Sequence, residues 1–188
     1  MKRKLSTLSL VGALVAVLGA ASACHGSNSD GQPVRNTGHY AIVDTDRGTI
    51  VIELYPKVAP KTVDNFETLV KKGFYNGLTF HRVVPDFVVQ GGDPDGTGMG
   101  GPGYKVPAEI DKNEHHLRGS VATARTGDDT NPQRESSGSQ FYICLEPQPG
   151  LDGDYTIFGA VIKGMNVVDQ IQKGDHMTKL TLAAQPPK

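Results

Sequence analysis

The spacing of apolar residues along this chain changes several times, and each change marks a predicted element. Tyr40–Asp44 and Thr49–Tyr55 read as two strands joined by a turn at Asp46-Arg47-Gly48. In the second, Ile50, Ile52 and Leu54 alternate with Val51, Glu53 and Tyr55, the pattern of a strand with one face buried. Pro60 then opens a helix in which Val63, Phe66, Leu69 and Val70 share a face and which Gly73 ends. Further strands are predicted at Thr79–Val84, Phe87–Gln90, Ser120–Ala124, Gln140–Leu145 and Thr156–Ile162. A second helix is expected from Asn166 to Lys173, with Val167, Val168 and Ile171 inward and Gly174 closing it, and Lys179–Leu182 forms a last strand. Many strands, two helices and no regular alternation exclude a doubly wound α/β fold. A sandwich and a closed barrel both satisfy the pattern, and closure would remove exposed edges.

The amino terminus follows another rule. Lys2, Arg3 and Lys4 precede an apolar or small run from Leu8 to Ala20, and Ala21-Ser22-Ala23 leads into Cys24. A basic start, a short apolar stretch and small residues at a cleavage point predict a secretory signal peptide over residues 1–23. The run is shorter than the ~20 residues of a spanning helix. Small residues followed directly by cysteine also resemble a bacterial lipobox, although Ala21 stands where leucine is commonest. Acylation of Cys24 would anchor the mature chain to a membrane of the cell envelope, since each buried methylene contributes ~0.8 kcal/mol. Cleavage without acylation would leave a free thiol and a periplasmic or secreted protein. Residues 24–38 are polar and rich in glycine and serine, which predicts a flexible tether before a domain over residues 39–188.

Composition narrows the functional classes. The 188 residues suffice for one domain, and 37% hydrophobic with 21% charged residues fit a globular body. The 23 glycines and 12 prolines show no period, which favours many turns over a repeat architecture. Loss of residues 1–23 takes three of the 19 basic residues and none of the 20 acidic ones, leaving 16 against 20, a net charge of −4. With no basic stripe, nucleic acid is excluded as a partner. A monomer is expected. Cys144, within Phe141–Leu145, reads as a buried, inert thiol.

The chemistry concentrates in Phe80-His81-Arg82-Val83-Val84-Pro85-Asp86-Phe87-Val88-Val89-Gln90-Gly91-Gly92-Asp93. An arginine among valines must be engaged by something. Pro85-Asp86 makes a turn that returns Phe87, Val88 and Gln90 beside it. This run, together with Ser137-Gly138-Ser139-Gln140-Phe141-Tyr142-Ile143, resembles the two signatures of the cyclophilin family of peptidyl-prolyl isomerases. The resemblance covers about residues 39–184 and implies a mainly β fold: a closed, eight-stranded antiparallel barrel capped by two α-helices.

It also implies a reaction. Rotation about a peptide bond has a barrier of ~18–20 kcal/mol, and X-Pro bonds exchange over tens to hundreds of seconds. No covalent bond needs to break and no cofactor or metal is called for. A donor aimed at the proline nitrogen favours the twisted amide, whose lone pair has left conjugation. By resemblance, Arg82, always charged and rich in donors, takes that role, with Phe87 and Gln90 as its catalytic companions. Val88, Tyr142, Leu151 and Tyr155 match the substrate pocket, and Ala124, Arg125 and Gln140 the groove for residues before the proline, bound much as an added strand would be. His81 is placed beside the substrate as a support of the loop. Without a general acid or base, activity should be nearly flat between about pH 6 and 9.

Several positions depart from the commonest family pattern. Gly150 precedes Leu151, where many cyclophilins carry a tryptophan; Tyr155 replaces a frequent histidine, Tyr142 a phenylalanine, Val88 a methionine and Arg125 an asparagine; the loop Gly127–Ser137 is longer than usual. These changes predict retained isomerase activity and weakened cyclosporin binding. Substrates would be proline-containing segments of exported proteins. The alternatives are a binding module that holds such segments without turnover, and an envelope chaperone. Gly96-Thr97-Gly98-Met99-Gly100-Gly101 formally matches a dinucleotide fingerprint, but Pro102-Gly103 follows where a helix must start, so a flexible surface loop is expected. His115-His116 lacks zinc-ligand spacing and reads as a solvated loop.

Overall fold

The computed structural model describes residues 31–187; Cys24 and the predicted signal peptide lie outside them. Strands β1 (Tyr40–Thr45) and β2 (Gly48–Leu54) form a hairpin in which Thr45 pairs with Gly48. Helix α1 (Pro60–Lys71) follows, then β3 (Arg82–Val84), β4 (Val88–Gly91), β5 (Lys105–Val106), β6 (Ser120–Thr123), β7 (Ser136–Ser137), β8 (Phe141–Cys144), β9 (Ile157–Lys163), α2 (Met165–Val168) and β10 (Met177–Ala183). Eight strands make one antiparallel sheet in the order β10-β1-β2-β9-β6-β8-β4-β3, and β5 pairs with β7 apart from it.

Two-residue alternation gives this curled sheet two distinct faces. Val89 of β4, Val121 of β6 and Phe141 and Ile143 of β8 point to the main core, where Phe66 of α1 meets Tyr75, Phe141 and Phe158 at ring-centroid distances of 5.1, 5.8 and 5.3 Å. Val88, Ala122, Tyr142, Cys144 and Ile157 point the other way and form a second apolar cluster, with Phe87, Leu151 and Tyr155 packed against it. The same strands therefore build the core and the floor of a surface pocket. Ala59, at the start of α1, makes no side-chain cap; the Glu109 carboxylate instead accepts the N–H groups of Lys61 (3.0 Å) and Thr62 (2.8 Å).

Three expectations are corrected. The barrel is not closed: the eight-stranded ladder ends at β3 and β10, which do not pair. β3 has only three residues, so the irregular chain ahead of it makes the contact, through the Thr79–His176 bridge and the bonds Gly77 N–H to Met177 O (2.7 Å) and Phe80 N–H to Asp175 O (2.8 Å). The second helix is a single turn, because Gln170 and Ile171 donate to carbonyls three residues back and Gln172 N–H is taken by the Asp175 carboxylate (2.7 Å). β2 is buried on both faces from Ile50 onward.

That last difference has its cause in residues expected to be tether. Glu53, fully buried on the outer face of β2, accepts the N–H groups of Arg35 (2.8 Å) and Thr37 (2.7 Å). Arg35 lies over the Tyr55 ring at 3.8 Å and pairs with Glu114 at 2.7 Å. The Gln32 amide donates to Arg118 O (2.8 Å) and Ser120 Oγ (2.9 Å). The tether boundary at residue 38 therefore falls too late: from Gln32 on, the chain is strapped to the body, and residues 24–30 lie outside the described part.

Candidate active site

The β3–β4 hairpin places the central residues. Asp86 takes a left-handed conformation (φ 57°), Phe87 N–H bonds to Val84 O at 3.1 Å, and Arg82 comes to lie opposite Gln90. The arginine is exposed, not buried among its valines. Its Nη1 donates to Gln90 Oε1 (3.2 Å) and its guanidinium stands 5.4 Å from the centre of the Phe87 ring. It pairs with no carboxylate among the described residues, so a neutral amide and an aromatic ring orient a cation whose other donors stay available.

A chain of amides extends this wall. Gln90 Nε2 donates to Gln140 Oε1 (3.0 Å), and Gln140 Nε2 donates to the carbonyls of Gly98 (3.0 Å) and Gly100 (2.8 Å). Because Gln140 Nε2 faces only carbonyls, the orientation of both glutamines is determined: each must present its oxygen toward Arg82. The glycine run expected to be a flexible loop is organised from within. The buried Asp93 carboxylate accepts the N–H groups of Asp95 (2.8 Å), Gly98 and Gly100 (3.2 Å). Burial raises the Asp93 pKa, and these three donors outweigh it to hold the carboxyl below its ordinary range.

Arg82, Phe87, Val88, Gln90, Ala124, Arg125, Tyr142, Leu151 and Tyr155 line a single pocket of ≈ 250 Å³. A larger groove of ≈ 550 Å³ adjoins it, sharing Gln90, Ala124 and Arg125 and adding Gln140 and the glycine loop. Two sequence-predicted residues stand outside the pocket itself: Gln140 joins it through Gln90, and His81 is buried behind β3. Neither ring nitrogen of His81 has a hydrogen-bond partner among the described residues. Burial, and then the nearby Arg82 and Lys173 charges, hold His81 below its ordinary pKa despite the pull of Asp93.

The far wall pairs its charges with one another, whereas the near wall holds Arg82 through an amide and a ring. Arg125 stacks on Tyr155 (4.6 Å), donates to Asp154 O (2.9 Å) and pairs with Asp128. Arg134 joins Asp128 (2.8 Å) to Asp154 (2.6 Å), which staples the long loop to the pocket rim. Gly150 is exposed, and a side chain there would meet nothing within 4 Å. Sequence patterning missed Asp128, Arg134, Asp152 and Asp154, which carry no periodic signal. It also misplaced His116: His115 is exposed as expected, but His116 is buried beneath the pocket. Among the described residues no group of three or more His, Cys, Asp or Glu could hold a metal ion, and no helix is long and apolar enough to cross a membrane.

An arginine with no carboxylate partner among the described residues thus stands on the rim of an apolar pocket that a groove adjoins. The sequence profile of the cyclophilin type peptidyl-prolyl cis-trans isomerase family matches residues 40–186, and the chain belongs to that family. It is similar to the peptidyl-prolyl cis-trans isomerase of Helicobacter pylori (48% identity over 148 residues, 77% of this chain and 87% of the relative). A peptidyl-prolyl cis-trans isomerase B of Bacillus subtilis is likewise 48% identical over 145 residues, covering 77% and 96% of the two chains. In three dimensions it resembles a cyclophilin type isomerase of Cryptosporidium parvum, with a TM-score of 0.72, 28% identity and coverage of 79% and 99%. The same parasite protein crystallised in the presence of the dipeptide Ala-Pro matches with a TM-score of 0.69, 28% identity and coverage of 76% and 98%. The protein is thus a cyclophilin-type peptidyl-prolyl cis-trans isomerase.

Proposed function

We propose that Arg82 accelerates X-Pro rotation in exported polypeptides by donating to the proline nitrogen as the amide twists. The observation that carries this reading is the guanidinium held by Gln90 and Phe87 with no carboxylate partner among the described residues. In the planar amide the nitrogen offers little electron density, so the donor acts chiefly in the transition state. Phe87, Val88, Leu151, Tyr142 and Tyr155 would receive the ring and exclude water, and Gln90, whose second amide hydrogen meets no acceptor among the described residues, would hold the substrate carbonyl. Ala124, Arg125 and Gln140 would bind the preceding residues in the groove. The related isomerase crystallised in the presence of the dipeptide Ala-Pro supports a proline-containing ligand.

Exchange spectroscopy on a proline-containing peptide tests the role. Arg82→Ala should lower kcat/KM by ~10²–10³, the scale for one preorganised transition-state donor, and leave the fold intact because the side chain is exposed. Equal exchange rates in the two proteins would instead favour a binding module.

The basic start, apolar run and Ala-Ser-Ala before Cys24 support export and acylation at Cys24, which would hold the domain at a membrane of the cell envelope. Mass spectrometry of the mature amino terminus tests this: an unprocessed Met1, or a mature Cys24 without added acyl mass, would overturn export or anchoring respectively. The open space at Gly150 supports weak cyclosporin binding, and tight inhibition would defeat that part.

A further inference from the structure

Beneath the proline pocket lies a second constellation that amide rotation does not call for. Asp152 follows the short turn Pro149–Leu151, and its carboxylate accepts the His116 N–H (2.8 Å) while meeting His116 Nδ1 (2.9 Å) and His115 Nδ1 (2.8 Å). On the other side of the same ring, His116 Nε2 lies 3.0 Å from the Tyr142 hydroxyl. The His116 side chain is wholly excluded from solvent. Tyr142 thus turns its ring to the pocket and its hydroxyl to a buried imidazole.

The proton positions follow from the donor inventory. Burial raises the Asp152 pKa, and the His116 N–H and the two imidazoles outweigh it, so the group is an ionised, acceptor-only carboxylate. Nδ1 of a neutral His116 must then carry the proton. Nε2 is left as an acceptor, and the Tyr142 O–H donates to it. When His116 gains a proton, both nitrogens donate and the phenol hydrogen has to turn elsewhere. The surroundings resist that change: burial first, and then His115, oppose the charge, and Asp152 favours it, with the net balance below the ordinary histidine value. The remaining titratable neighbours are Tyr155, edge-on at 6.3 Å, and Cys144 and Arg125, which act on Tyr142.

We propose that Asp152, His116 and Tyr142 form a relay that fixes the far wall of the proline pocket only while the His116 ring is neutral. His116 is then a positioning residue whose protonation weakens peptide binding. A proline ring packed on Tyr142 holds its hydroxyl against Nε2, so in the bound state the N–H of a protonated ring would face the phenol hydrogen. Binding and protonation must therefore oppose each other by the same factor in both directions. This rests on the isomerase reading but leaves Arg82 chemistry unchanged: the profile stays flat above about pH 6, and the loss on the acid side appears in KM and Kd, not in kcat.

The test uses an end-blocked, proline-containing peptide without titratable side chains, followed by NMR titration and exchange spectroscopy from pH 7 to pH 5. Wild type should lose affinity about fivefold or more as the His116 ring resonances titrate, and saturating peptide should move that titration to lower pH by the same factor. Tyr142→Phe keeps the pocket ring, removes the hydroxyl, and should make Kd independent of pH over this range. His115→Asn should retain the acid limb. The relay is overturned if Tyr142→Phe keeps the wild-type limb, if His115→Asn removes it, if peptide leaves the His116 titration unmoved, or if His116 stays neutral until the protein unfolds. Absence of catalysed exchange at any pH would overturn the isomerase reading itself.

Discussion

The two walls of the proline pocket are built on opposite electrostatic plans. In the wall from Arg82 through Gln90 and Gln140 to the glycine loop, neutral amides separate one cation from the buried Asp93 carboxylate, and no carboxylate among the described residues pairs with Arg82. The wall from Tyr142 to Tyr155 is backed by ionised and titratable groups, each tied to another: Asp152 to two imidazoles, Arg125 and Arg134 to Asp128 and Asp154. The difference separates two tasks. A donor meant for a twisted amide must keep its charge available, since an adjacent carboxylate would compete with the substrate nitrogen. A wall that only shapes the pocket can use paired charges to hold irregular chain in place.

The larger effects are expected on the Arg82 side. Next to Arg82→Ala, the largest effect is expected from Gln140→Leu, which orphans the Gly98 and Gly100 carbonyls and the Gln90 amide. Gln140 is buried, so the loss should reach about 1–3 kcal/mol in denaturant unfolding, and the freed Gln90 should lower kcat/KM by ~10- to 100-fold. Activity close to wild type would mean that the amide chain does not orient Arg82.

A smaller effect sharpens the comparison through pH. His81 lies behind the Arg82 wall with its folded pKa below the ordinary value of ~6.5, so the unfolded chain takes up the proton more readily. Stability from its neutral form is therefore complete above about pH 6.5 and declines as the pH falls from there toward the folded value. His116 adds a loss of the same sign. Between pH 7 and pH 5 the wild-type melting temperature should fall by ~2–4 °C more than that of His81→Phe. Parallel melting curves would remove His81 from the balance.

The smallest effect belongs to the charged wall's outer staple. Arg134→Ala should leave global unfolding unchanged, because exposed ion pairs contribute little. It should quicken amide exchange at Glu135, whose N–H is held by Asn131 in the loop that Arg134 closes. Exchange as slow as in wild type would show that the loop holds without its staple.

Much of the fold was legible because strands and helices repeat. Ile50, Ile52 and Leu54, and Val63, Phe66, Leu69 and Val70, fall in the core as their periods require. Strand ends shifted by one to three residues, since Thr79 and Phe80 have apolar neighbours but bond as irregular chain. The burial of Glu53 and Tyr55 was not legible, because the strap that meets them begins in polar residues such as Gln32 and Arg35, whose docking depends on single hydrogen bonds. His116 was hidden for a similar reason: its partners stand 26 and 36 positions away, at Tyr142 and Asp152.

The sequence by itself determined the family, the reaction and the residues that gather at the pocket, because both signatures lie in short strand–turn segments whose local geometry follows from residue order. The tertiary structure alone decided which charges are available and which are consumed. It left Arg82 without a carboxylate partner among the described residues, joined it to the glycine loop through two glutamines and buried His116 between Asp152 and Tyr142. It also left the sheet open between β3 and β10. Those outcomes depend on which distant side chains meet when the chain folds; for the buried ones among them, such as His116, one hydrogen bond or ion pair in a low-dielectric interior sets a group's charge and direction.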